Sequence, residues 1–78
     1  MKLKLVEMKD DQTGKISVLQ GGHAMRSRLE AMGLRPGKRL TKLSGMLGGG
    51  PIVVQVEGTQ VAVGRGMAAR IEVEVWQK

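Results

Sequence analysis

Apolar and polar residues alternate along most of this chain, and one short interval breaks the pattern. Lys2-Leu3-Lys4-Leu5 alternates with Leu3 and Leu5 inward, and Ile16-Ser17-Val18 alternates again. Lys38 to Leu43 is β-capable but basic on both faces. Ile52, Val54 and Val56 line one face, with Gln55 and Glu57 on the other. Val61 and Val63 point inward on the next run, and Ile71, Val73 and Val75 then alternate with Glu72 and Glu74. A period of two marks strands with one buried face. The breaks between them carry turn chemistry. Asp10 to Gly14 is one, and Ser44 to Gly50 is a glycine-rich loop with Met46 and Leu47 at its tip. Gly58-Thr59 fits a two-residue hairpin with Gly in the first central position. Arg65 to Ala69 has room for a single helical turn.

The interval from Gly21 to Leu40 is different. Met25, Leu29 and Met32 fall at i, i+4 and i+7, forming one apolar helical stripe. Arg26 and Glu30 lie opposite that stripe and Arg28 flanks it. Gly33 supplies the left-handed residue that stops a helix, and counting back makes Leu29 and Leu34 the pair that packs across such an ending. Arg35-Pro36-Gly37-Lys38 follows as a turn, with Pro36 fixing φ and Gly37 accepting positive φ. Six short strands with one short helix inserted in the first half predict a small closed barrel.

Size and charge narrow the picture. The 78 residues predict a single domain, 1–78, near the lower end of what folds without disulfides or metals. The chain has no cysteine, which excludes disulfides, thiolate metal sites and a cysteine nucleophile, and fits a reducing cytoplasm. No apolar run approaches the roughly 18 residues that span a bilayer, and the N-terminus lacks a signal-peptide apolar region, so a soluble chain is expected. Thirteen Lys and Arg against seven Asp and Glu give a formal charge of +6. Six of the basic residues lie between Arg26 and Lys42, with only Glu30 opposing them. Such a field favours an acidic protein surface, anionic headgroups or nucleic acid. Base stacking needs aromatic platforms, and this chain has no Phe, no Tyr and one Trp, Trp76. That weakens the nucleic-acid reading.

Candidate chemistry is sparse. Gly64-Arg65-Gly66-Met67-Ala68-Ala69 matches a dinucleotide-binding fingerprint, but that mechanism needs a long helix afterwards, and here a strand begins at Ile71. A barrel turn is expected instead. Gly45 to Gly50 has the spacing of a P-loop opening, yet Pro51-Ile52 stands where Lys and Ser or Thr would hold phosphate and Mg²⁺. His23 is the only histidine and the carboxylates are scattered, so no catalytic or metal site is expected and no cofactor is implied.

Arg28-Leu29, Met32-Gly33-Leu34 and Pro36-Gly37 together resemble the "RL…LGL.PG" signature of FeoA, the small ferrous iron transport protein A family. Pro51 to Gly58, Val61-Ala62-Val63 and Met67 to Val73 are similar to the strands that follow it there, so the resemblance covers essentially the whole chain. Gly64 and Gly66 depart from it, standing where relatives more often carry Arg and a larger polar residue. The resemblance implies an SH3-like barrel of five to six strands and a cytoplasmic, non-enzymatic accessory role in ferrous iron uptake. It also implies a partner, the cytoplasmic part of the FeoB-type membrane GTPase transporter. The residues add a binding face: Arg26 and Arg28 would steer association, and Met46 and Leu47 would add apolar contact. Contact with the membrane surface and self-association are further possibilities. Two alternatives remain at this stage. One is a metal-responsive module like the C-terminal domains of DtxR-type repressors, although no helix-turn-helix precedes the barrel. The other is a charge-driven nucleic-acid-binding barrel.

Overall fold

In the computed structural model, which describes residues 1–45 and 50–76, six antiparallel strands form one curled sheet. They are β1 (Lys2–Lys4), β2 (Thr13–Leu19), β3 (Arg39–Gly45), β4 (Ile52–Val56), β5 (Thr59–Val63) and β6 (Ile71–Val75). The spatial order is β1-β6-β2-β3-β4-β5. Helix α1 (His23–Ala31) joins β2 to β3, and a one-turn helix α2 (Arg65–Ala68) joins β5 to β6. A 3-10 turn, Leu5–Glu7, continues β1 and touches α2, so the two ends of the strand ladder are bridged by these short helical pieces.

Alternation accounts for the core. Ile52, Val54 and Val56 of β4 are buried, as are Ile71, Val73 and Val75 of β6. Leu29 of α1 joins them at 0% exposure, with Met25 and Met32 packed against the core at its margin. The expected helix ending is present in full. Gly33 has φ +90°, its N–H donates to the Glu30 carbonyl at 3.0 Å, and the Leu34 N–H donates to the Leu29 carbonyl at 3.0 Å. Those two bonds define a Schellman ending, and Leu34 is fully buried beside Leu29. Pro36 and Gly37 (φ +93°) form the next turn, closed by the Lys38 N–H on the Arg35 carbonyl at 3.0 Å. That turn is tied to β2, since the Gly37 N–H donates to the Ile16 carbonyl and the Ile16 N–H to the Lys38 carbonyl, both at 2.8 Å.

Three details differ from the sequence expectation. Leu5 is buried but opens the 3-10 turn instead of ending β1. Val18 is 40% exposed, because the β2–β6 register shifts between Ile16 and Val18 and hands the core position to Leu19. A bulge of this kind reverses the alternation beyond it. The β4–β5 hairpin turns on Glu57-Gly58, with φ +51° and +80°, and not on Gly58-Thr59. Both central residues are left-handed, the type I′ geometry whose twist matches the flanking strands; Thr59, β-branched, is poorly suited to positive φ. β3 carries basic residues on both faces, as expected: Arg39 is exposed, while Lys42 points inward beside Leu40.

Candidate partner-docking surface

Helix α1 decides where the expected binding residues stand. Gly21, just before it, has φ +120°, a conformation that favours glycine, and a Cβ there would lie 2.9 Å from the Met25 sulfur, which would have to shift. Leu29 then fixes the buried face. With 100° per residue, Arg26 and Arg28 emerge on opposite flanks. Arg26 and Glu30 border an open cleft with Val18 of β2 and Pro36 of the following turn, about 280 Å³ in volume. Arg28 borders a smaller, mainly apolar cleft of about 160 Å³, lined also by Ala24 and Met25 of α1 and Met67 of α2. The two arginines therefore belong to two different clefts. Arg70 lies near the second one, with its Cδ and an Nη 3.8 Å from the place a Gly21 Cβ would take.

Four of the six basic residues between Arg26 and Lys42 are engaged elsewhere in the chain. Lys38 pairs with Glu57 at 3.0 Å. The Arg39 guanidinium sits over the Trp76 ring, 5.0 Å from its centroid, a cation–π contact. Arg35 Nε donates to the Glu30 carbonyl at 3.3 Å. Lys42 is 6% exposed and donates from Nζ to the Met8 carbonyl, so its aliphatic stem fills the barrel while its charge meets a backbone acceptor. Arg26 and Arg28 are left, both exposed on the helix. Sequence reasoning missed the structural roles of Lys42 and Arg39. For Lys42 the signal was its place two residues after Leu40, on the strand's inward face.

Met46 and Leu47 lie outside the described residues. His23 is exposed at the first position of α1. Among the described residues no three His, Cys, Asp or Glu side chains cluster in a way that could hold a metal ion. Glu74 is bound to the N-terminal amine. That hydrogen bond, with the charges of the amine and of Lys2, holds its carboxyl below the ordinary value against a smaller opposing effect of desolvation. The glycine fingerprint at Gly64 is the N-cap of α2, which lasts four residues before β6, too short to present a phosphate-binding helix terminus. No helix among the described residues is long and apolar enough to cross a membrane.

A six-stranded antiparallel sheet curled round one core, with its ends bridged by short helical turns, is an SH3-like barrel. The FeoA domain profile matches residues 3–75, and the chain belongs to the FeoA family. A Methanocaldococcus jannaschii protein provisionally named Fe(2+) transport protein A is 30% identical over 59 residues, which cover 76% of this chain and 70% of that one. A crystal structure of an iron uptake regulatory protein (FeoA) superposes with a TM-score of 0.91 at 36% identity, covering 97% of this chain and all of the other. A manganese-dependent transcriptional repressor also superposes, with a TM-score of 0.88, over 96% of this chain and 42% of its own. At 22% identity that likeness concerns the fold alone.

Proposed function

We propose that this chain is an accessory protein of ferrous iron uptake that works by binding the cytoplasmic part of a FeoB-type membrane GTPase transporter, with no catalysis of its own. The observation that carries this reading is the FeoA match along residues 3–75. Its end-to-end likeness to a protein of iron uptake regulation supports it. On this reading the protein acts in the cytoplasm, and iron is the transporter's cargo.

The flanks of α1 supply the docking face. Arg26 and Arg28 project, both exposed, from the two flanks of the helix on either side of buried Leu29, where an acidic partner surface can reach them. Exposed charges of this kind govern association rate and salt dependence more than residence time. Met46 and Leu47 remain part of the proposed face as apolar contacts.

The test is surface binding to the cytoplasmic domain of the cognate transporter at two salt concentrations, together with ferrous uptake in a strain lacking the native protein. Arg26→Glu and Arg28→Glu, made separately because they border different clefts, are expected to slow association and flatten its salt dependence. Wild-type protein that neither binds nor restores uptake sinks the proposed function. Variants that bind and restore uptake like wild type leave the function standing and remove α1 as its site.

A further inference from the structure

The two ends of the strand ladder are built differently. At one end, β1 carries Lys2 and Lys4, the Lys4 N–H is taken by the Glu7 carboxylate at 2.8 Å, and the chain then leaves the sheet in its 3-10 turn. Lysines and an early break are the ordinary means by which a sheet edge resists further pairing. At the other end, β5 reads Thr59-Gln60-Val61-Ala62-Val63, without a charge or a proline, in a chain where 26% of residues are charged. Four of its five residues are exposed or only half-buried.

Hairpin geometry says which of its backbone groups are open. Val56 and Thr59 flank a two-residue turn and are paired, so they exchange both of their hydrogen bonds. Every second residue does the same, which directs Thr59, Val61 and Val63 towards β4. Gln60 and Ala62 consequently aim their N–H and C=O groups away from the sheet. Among the described residues no backbone group outside β4 bonds to either of them.

We infer that β5 is a self-association edge, pairing antiparallel with β5 of a second copy of this chain about a two-fold axis at Val61. In that register Gln60 faces Ala62 of the second copy and Ala62 faces its Gln60, so all four open groups of each strand are used. Half-buried Val61 meets its own counterpart across the axis, at the closely spaced, non-hydrogen-bonded position of the ladder. Among the described residues the lysine-bearing, early-broken β1 edge disfavours pairing, which leaves β5 as the available edge. One pairing uses it, and the assembly closes as a dimer instead of growing. A second copy fits better than an acidic partner, because the strand offers no charge to attract one. So short an edge falls in the small-interface class, which makes the dimer concentration-dependent. Two molecules each of charge +6 repel, so salt strengthens it by screening.

Sedimentation of the full chain at rising concentration, in low and high salt, is expected to show a mass moving from 8.4 kDa towards twice that value, further at high salt. Ala62→Pro removes one outward N–H at an edge position where proline is tolerated, and is expected to abolish the rise while circular dichroism stays native. Ala62→Lys, whose side chain lies on the exposed face, is expected to do the same and covers the case in which the proline variant misfolds. The chain has no cysteine, so oxidation of Val61→Cys is expected to give a covalent dimer faster than Gln60→Cys or Ala62→Cys. A monomer at every concentration and salt, a dimer indifferent to both Ala62 variants, or fastest cross-linking at position 60 or 62 overturns the inference.

Discussion

Replacing Gly33 separates backbone conformation from packing at the residue that ends α1. Gly33 has φ +90°, and a Cβ built on it would meet nothing within 4 Å. Steric overlap with the rest of the protein is therefore absent, and the whole cost of Gly33→Ala lies in holding a side-chain-bearing residue in the left-handed region. That cost is about 1–3 kcal/mol. For a domain of this size each 1 kcal/mol moves the thermal midpoint by about 4–8 °C. Gly33→Ala is accordingly expected to lower the midpoint by roughly 4–24 °C. Gly33→Asn occupies the same open space, but its short polar side chain tolerates positive φ, so it is expected to recover much of the loss. Thermal unfolding followed by circular dichroism, with denaturant titration for the free energy, measures both. Should the alanine variant melt like wild type, or the asparagine variant melt as early as the alanine one, conformational strain at Gly33 is not what stops the helix.

Gly14 offers the opposite mechanism. A Cβ there would lie 2.5 Å from Val73 Cγ1 and 2.7 Å from the Glu74 backbone oxygen, so Gly14→Ala must push β2 away from β6 and is expected to cost at least about 1–3 kcal/mol. Adding Val73→Ala should relieve only the side-chain part of the clash; an unchanged denaturation midpoint in Gly14→Ala would contradict the account. Glu74 gives a pH signature. Its folded-state pKa is held below the ordinary 4.5, mainly by the hydrogen bond from the N-terminal amine. Its contribution is therefore present above pH 4.5 and fades as pH falls through the lower folded value. Glu74→Gln is expected to flatten stability against pH in that acid window alone, by a small amount because the pair is exposed; a difference that persists unchanged below the window would refute it.

Much of the fold could be read from the sequence because its determinants are local. The Schellman stop needs only Leu29, Gly33 and Leu34 at the right spacing, and the following turn needs only Pro36 and Gly37. The buried face of β6 comes from strict alternation of Ile and Val with Glu, and that of β4 from Ile52, Val54 and Val56 at every second position. What escaped was set by partners far along the chain. Val18 is exposed because of how β2 registers on β6, 50 residues and more away in sequence. Lys42 is buried because the Met8 carbonyl lies where its amine ends. The engagement of the basic run is not legible because sequence proximity ignores helical rotation and pairing along the chain; Glu57 and Trp76, which engage Lys38 and Arg39, come from β4's turn and the residue after β6. Net charge constrains what a surface meets, and leaves open which charges remain available to meet it.

The same +6 charge sets opposite signs on the two associations argued above, and this makes them separable. Docking of Arg26 and Arg28 on an acidic partner is attraction between unlike fields, which added salt screens, so the association rate should fall as ionic strength rises. Pairing of β5 with its copy sets like against like, and its bonds are backbone hydrogen bonds that salt barely touches. Screening removes only the repulsion, and the dimer should strengthen. The two surfaces share no residue: one is the proposed face of Arg26, Arg28, Met46 and Leu47, the other is made by Gln60, Val61 and Ala62. Ala62→Pro should thus leave the salt response of transporter binding intact, while Arg26→Glu and Arg28→Glu should lower self-repulsion and, if anything, favour the dimer. A single salt series on wild type and these three variants therefore assigns each association to its own face. Arginine variants that lose the dimer would show that the faces are not independent.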